Sequence, residues 1–262
     1  MAKVFTLKIA GTEFKADAGN TILDVARAND IFIPTLCSLK GLSNVGACRL
    51  CMVEVRGVPR LLPACATLVA EGMDVTVDSP KVAKYRKMIV ELLLAERNHI
   101  CAVCVANGHC ELQSLAQRLG VSHTRYPYRH PALACDASHP RFNYDANRCI
   151  LCTRCMRACE EVEGARTWNV MGRGIHSLMM TDLHQPWGQS ESCTSCGKCV
   201  HVCPTGALSE KGRAVGERVP RGGRHRAAGV DAAQRPLLGV EESKGRGGSE
   251  ISHHLIAQPS KT

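Results

Sequence analysis

Aromatic residues are scarce in this 262-residue chain, which has four Phe, two Trp and four Tyr. Long apolar runs are missing too. The longest, such as Met88-Ile89-Val90 and Leu92 to Ala95, fall far short of the roughly 20 residues a helix needs to cross a bilayer, so no membrane span is expected. The start, Met1-Ala2-Lys3-Val4-Phe5-Thr6-Leu7-Lys8, carries no apolar signal region, and a cytoplasmic location is expected. No G-x-G-x-x-G turn joins a strand to a helix, so the usual NAD or flavin cradle is absent. No set of nucleophile, base and orienter is evident either, and no catalytic residue is expected. Modules with so few large apolar side chains would struggle to hold together by burial alone.

The net charge of +9 is unevenly spread. Residues 211–262 hold ten Lys/Arg against five Asp/Glu, so +5 of it lies there. That stretch also has nine glycines, no cysteine and little periodicity, and it reads as a flexible basic tail. It lacks interleaved aromatics and a recognition motif, so no nucleic-acid partner is expected.

Cysteine is what the chain has in abundance. Fifteen of its sixteen cysteines form four groups: Cys37/Cys48/Cys51/Cys65, Cys101/Cys104/Cys110, Cys149/Cys152/Cys155/Cys159 and Cys193/Cys196/Cys199/Cys203. His99 stands beside the three-cysteine group. Only Cys135 is left over, in a proline-bounded stretch where it reads as an ordinary free thiol. In a cytosolic setting, repeated C-x2-C spacing points to metal rather than to disulfides. Bound metal would also supply folding free energy that the sparse core lacks.

The order of patterns divides the chain. Residues 1–78 read as a small α/β unit: Val4 to Ile9 alternates as a strand, Gly11 marks a turn and Thr12 to Lys15 returns antiparallel. Thr21 to Asn29 has helical periodicity, and Met52 to Val55 and Val75 to Val77 are further strand candidates. Strand, hairpin, helix and strand with cysteines in the loops suggest a β-grasp ferredoxin. Ser79-Pro80 opens a helix running to about Arg97, with Val82, Met88, Ile89, Leu92 and Leu93 as its expected buried stripe. Leu112 to Leu119 is another short helix, closing a unit at 79–119. Residues 120–140 form a connector whose His123, His130 and His139 read as solvated. Residues 141–210 contain an internal repeat, C-x2-C-x2-C-x3-C twice, with strand and turn material between Trp168 and Met180. The expected class is α+β: a β-grasp domain, a small helical domain and a bacterial-type two-cluster ferredoxin domain.

Iron in clusters prefers thiolate donors. In two-cluster ferredoxins the fourth cysteine of each motif reaches across to the other cluster. The spacing therefore predicts one 4Fe–4S cluster on Cys149, Cys152, Cys155 and Cys203. A second 4Fe–4S cluster is expected on Cys159, Cys193, Cys196 and Cys199. The first group, C-x10-C-x2-C-x13-C, has a longer first gap than plant-type ferredoxins but keeps their C-x2-C core, and is assigned a 2Fe–2S cluster. Cys101, Cys104 and Cys110 need a fourth donor for a third 4Fe–4S cluster; His99 is nearest and His109 competes. Structural zinc is the alternative, and it would make the chain an interaction protein. Zinc sites, however, usually pair two C-x2-C units across a longer span. The remaining cysteines cannot supply the two C-x2-C pairs of a nickel–iron centre.

This order of one 2Fe–2S set, one histidine-plus-cysteine set and two full ferredoxin motifs resembles three related groups. They are the N-terminal regions of iron-only hydrogenases, the large iron–sulfur subunits of NADH:quinone oxidoreductase with related formate dehydrogenases, and the diaphorase small subunits (HoxU) of NAD-reducing nickel–iron hydrogenases. The resemblance covers about residues 1–210. The complete second ferredoxin motif, the end of the chain soon after Cys203, and the stretch Asn98 to Gln113 are most similar to HoxU. That resemblance implies an electron-transfer subunit of an oxidoreductase complex catalysing H2 + NAD+ ⇌ NADH + H+. Its partners would be a flavin-containing NAD(H)-binding subunit with FMN, a hydrogenase small subunit and a nickel–iron large subunit. An electron relay in a formate dehydrogenase or a bifurcating hydrogenase is the close alternative. A freely diffusing ferredoxin is less in keeping with the basic balance.

Overall fold

The computed structural model describes residues 3–212. The tail expected at 211–262 therefore lies, beyond residue 212, outside the described residues. The first unit is a mixed five-stranded sheet. Its strands are β1 (Val4–Ile9), β2 (Thr12–Asp17), β3 (Met52–Val55), β4 (Leu62–Pro63) and β5 (Asp74–Thr76), in the order β2-β1-β5-β3-β4. The β1–β2 hairpin is antiparallel, from Val4 opposite Asp17 to Ile9 opposite Thr12. Its turn passes through Ala10 and Gly11 with positive φ of 53° and 82°. β5 joins β1 in parallel, which a hairpin cannot do.

Helix α1 (Ile22–Ala28) starts where Thr21 accepts from the Asp24 amide and Asp24 returns a bond to the Thr21 N–H, a capping box. Ile22, Leu23, Val25 and Ala26 pack with Leu7, Ile9, Val53 and Val75 into one core.

Helix α2 (Pro80–Glu96) opens as the sequence predicts, with the Ser79 hydroxyl accepting from the Val82 amide and proline in the first turn. Its buried face differs from the expected stripe. Val82, Arg86, Val90, Glu91 and Ala95 are buried, Met88, Ile89 and Leu93 are half-buried, and Leu92 is exposed. The reason is polar anchoring. Arg86 donates to the carbonyls of Leu50 (3.3 Å) and Met52 (3.0 Å), and Glu91 pairs with Arg125 at 2.8 Å. Those contacts hold two charged residues on the buried face, while Ile89, Leu93 and Leu94 pack partly buried against the core.

Helix α3 (Glu111–Arg118) follows, and then the connector, which is less plain than expected. It contributes strand β6 (Cys135–Asp136), paired with β7 (Phe142–Asp145), which pairs in turn with β10 (Leu208–Glu210). His139 is not solvated but 3 % exposed, stacked on Phe142 at 4.8 Å and tilted against Trp187 at 4.7 Å. Its Nδ1 accepts from the Arg141 and Phe142 amides, and Nε2 lies 3.1 Å from Ser195 Oγ. A ring that can satisfy turn amides is held inside, and composition could not show that. Cys135 is exposed, as are His123 and His130.

The repeat supplies α4 (Arg154–Arg157) and α5 (Lys198–His201), with the hairpin β8 (Trp168–Met171) and β9 (Leu178–Thr181) between them. One apolar cluster joins all parts: Leu36 and Leu50 from the first unit, Val90, Leu112 and Leu115 from the helices, and Ile150 from the repeat. Among the described residues no helix is long and apolar enough to cross a membrane.

Candidate iron–sulfur sites

The loop from Leu36 to Cys51 and the turn at Cys65 bring the first four cysteines together, all buried. Cys37 exchanges hydrogen bonds with Cys48 and Cys65, and Cys65 with Cys51. Bonds from Cys48 and Cys65 pull the Cys37 thiol far down, while the same contacts push Cys48 and Cys65 up. The Leu36 amide also donates to Cys48 Sγ at 3.3 Å. Four buried sulfurs within hydrogen-bonding reach of one another are soft donors that suit iron.

In the second set, Cys101, Cys104, Cys110 and His99 line a cavity of about 260 Å³. Burial, aided by the nearby charges of Arg148 and Arg97, depresses the His99 ring to about 4, so it is neutral at pH 7. A backbone hydrogen bond at Leu93 engages the ring, while Nε2 is buried without any partner. That is the condition of a ligating histidine, whose second nitrogen is held by a carbonyl and whose first offers a lone pair. His109 is exposed and does not line the cavity.

The repeat gathers its sulfurs crosswise. Cys149, Cys152 and Cys155 line one cavity with Cys203, under Tyr144 and Met179. Cys193, Cys196 and Cys199 line another with Cys159, walled by Phe142, Trp168 and Trp187. Burial pushes Cys149 up to about 11, and Cys152 and Cys199 up to about 12. Thiolates there need a cation to exist, which is what a cluster's iron provides. Among the described residues no three His, Cys, Asp or Glu side chains close on one point as a lone ion requires.

The two motifs share a backbone device that residue types conceal. Leu151 and Thr153 in the first, and Ser195 and Gly197 at the matching places in the second, all have positive φ (52°, 59°, 56° and 77°). This winding turns amides inward, and the Leu151 amide meets Cys149 Sγ at 3.4 Å. Other donors reach sulfur as well. The Thr167 amide donates to Cys159 and Trp187 Nε1 to Cys193, each at 3.3 Å, and Trp168 bonds Cys199. These indoles, and the buried arginines 154 and 157, gave no signal in the sequence, because their spacing matches no ligand pattern.

The donor sets and folds define a protein with 2Fe-2S and 4Fe-4S binding regions. Residues 2–80 match the 2Fe-2S iron-sulfur cluster binding domain family. Residues 86–125 match the iron-sulfur binding region of NADH-ubiquinone oxidoreductase-G, and 139–209 the ferredoxin-like domain of NADH-quinone oxidoreductase subunit 3. The chain is 33% identical over 206 residues to the NAD-reducing hydrogenase HoxS subunit gamma of Cupriavidus necator, covering 78% of this chain and 86% of that one. A chain in the crystal structure of an NAD+-reducing NiFe hydrogenase in the H2-reduced state superposes with a TM-score of 0.76 at 33% identity, over 80% of this chain and 89% of that one. The NADPH-Fe(3+) oxidoreductase subunit alpha of Geobacter sulfurreducens is 38% identical over 79% of this chain, which spans only 24% of that relative. The chain belongs to the family of the HoxS gamma subunit, HoxU-like members of the complex I G-type iron–sulfur subunits.

Proposed function

We propose that this chain is the electron relay of an NAD-reducing nickel–iron hydrogenase, carrying one 2Fe–2S and three 4Fe–4S clusters. The β-grasp unit at 1–78 holds the 2Fe–2S cluster on Cys37, Cys48, Cys51 and Cys65. The unit at 79–119 holds a 4Fe–4S cluster on His99, Cys101, Cys104 and Cys110. After the connector at 120–140, the two-cluster domain at 141–210 uses Cys149, Cys152, Cys155 and Cys203 for one cluster. Cys159, Cys193, Cys196 and Cys199 serve the other. When bound, such clusters accept and release single electrons. The chain's own residues set their spacing, keep water away and supply N–H donors to sulfur.

The observation that carries the reading is the gathering of four donor sets, one buried and three lining cavities, within one connected body. The hydrogenase assignment draws support from the relatives. The HoxS gamma subunit and the chain from the NAD+-reducing NiFe hydrogenase structure are each 33% identical to this chain, over 78% and 80% of it. The expected partners are a flavin subunit that handles NAD(H) at FMN, a hydrogenase small subunit and a nickel–iron large subunit, in the cytoplasm.

The test is anaerobic affinity purification from the native host, with metal, flavin and subunit analysis. Nickel and FMN co-purifying with iron and acid-labile sulfide is the expected result. Molybdenum, or iron without nickel, would move the chain to a formate dehydrogenase or an iron-only hydrogenase. Zinc without iron would end the relay reading.

A further inference from the structure

Two arginines on the short helix α4 are almost wholly buried, and only one has an acid partner. Arg154 meets Glu111 with Nη1 at 2.6 Å and Nη2 at 2.9 Å. Arg157 is 2 % exposed. Its Nε donates to Thr153 Oγ1 at 3.3 Å and its Nη1 to the Ser43 carbonyl. Its Nη2 donates to two carbonyls, those of Cys37 at 2.6 Å and Cys152 at 3.1 Å. Every acceptor is neutral, and among the described residues no ion pair includes Arg157. Glu161, one turn along, is exposed and held by the amide and hydroxyl of Ser43.

A buried guanidinium facing only neutral acceptors is costly unless negative charge lies close by. The two carbonyls on Nη2 belong to one cysteine from each of two donor sets. A cluster held by four thiolates is anionic and gains a further negative charge when reduced. The clusters proposed on those two sets would supply the negative charge that none of the acceptors of Arg157 provides. The repeat supplies an internal contrast. The residue at the place of Arg157 in the second motif is His201, which is exposed.

We propose that Arg157 is the shared counter-charge of the clusters on Cys37/Cys48/Cys51/Cys65 and Cys149/Cys152/Cys155/Cys203, favouring their reduced states while its Nη2 ties the two cysteine backbones together. It is a positioning and tuning residue that touches neither iron nor sulfur. This role presupposes the cluster assignment above. It makes the two motifs of the repeat unequal although their cysteine spacing is identical.

The test uses the full chain, purified anaerobically, with iron and acid-labile sulfide counted and the clusters titrated with dithionite under electron paramagnetic resonance. In Arg157→Gln, reduction of the Cys149 set is expected to become at least tenfold less favourable, a shift of about 59 mV for one electron. The 2Fe–2S group moves in the same direction, and the Cys159 set stays in place. Arg157→Lys keeps the charge on a shorter stem and falls between Gln and wild type. A fully loaded Gln variant with both potentials unchanged overturns the proposal. If the Gln variant fails to load, the Lys variant decides: lowered potentials support the role and unchanged ones overturn it. A wild-type chain without iron and sulfide overturns the cluster reading and this role with it, and the iron count tells that result from the others.

Discussion

Gly206 offers the sharpest test of the second donor set. It follows Cys203 and Pro204, and a Cβ built on it would stand 2.5 Å from Cys104 Sγ, 3.3 Å from Ala106 Cβ and 3.5 Å from Arg148 Cδ. Carbon and sulfur atoms settle no closer than roughly 3.5 Å, so Gly206→Ala forces an overlap of about 1 Å. A free thiol could rotate aside. A sulfur bound to iron cannot, and the backbone must then move. That backbone is engaged, with the Pro204 carbonyl accepting from the Glu111 amide at 2.8 Å and Thr205 Oγ1 donating to the Arg148 carbonyl at 2.7 Å. Overpacking of this kind costs about 1–3 kcal/mol, or a fall of roughly 2–12 °C in Tm for a chain of this size. The expected outcome is loss of one 4Fe–4S complement of iron and sulfide with the others retained, measured on anaerobically purified protein. Gly19→Ala is the control, since its Cβ would meet nothing within 4 Å. A Gly206→Ala variant with wild-type iron, spectra and melting would refute the reasoning.

Three further outcomes are expected. His99→Cys should keep a 4Fe–4S cluster but lower its potential, because a thiolate replaces a neutral imidazole; an unchanged redox titration would point to another ligand. Trp187→Phe keeps a ring beside Phe142 and His139 but removes the N–H that reaches Cys193 Sγ at 3.3 Å. One lost hydrogen bond of about 1 kcal/mol corresponds to roughly 40 mV downward for one electron, read by redox titration. Arg154→Met leaves Glu111 without its partner and strips donors from the Ser38 and Val202 carbonyls. Breaking a buried pair costs about 3–5 kcal/mol, seen as a lower Tm with the cysteine sets intact.

The spatial grouping of the cysteines was legible because short-range spacing constrains which sulfurs can meet. The groupings read from the spacing are groupings in space, down to Cys203 beside the first motif and Cys159 beside the second. His99, whose Nε2 is buried without a partner, lines the same cavity as Cys101, Cys104 and Cys110. What sequence could not show depends on contacts between distant segments. The α2 stripe was misjudged because Arg86 found backbone carbonyls and Glu91 found Arg125. His139 looked solvated because its packing against Phe142 and Trp187 forms only in the fold, and the connector hid strand β6 because its pairing with β7 spans just two residues. Scarce aromatics proved less telling than their placement, since both tryptophans stand against the last cavity.

The crosswise lining of the two repeat cavities has a consequence in time. A chain emerging from the ribosome offers Cys149, Cys152 and Cys155 early, but Cys203, which completes their enclosure, comes only at the end of the second motif. The neighbouring enclosure likewise borrows Cys159 from the earlier motif. Neither enclosure has all its sulfurs before Cys199, so both close late, whereas the four sulfurs of the first unit are all present before α2 has been synthesised. On the proposed cluster assignment, delivery of iron and sulfide would fall into an early stage and a late one, with the interval of exposed thiols lying between them.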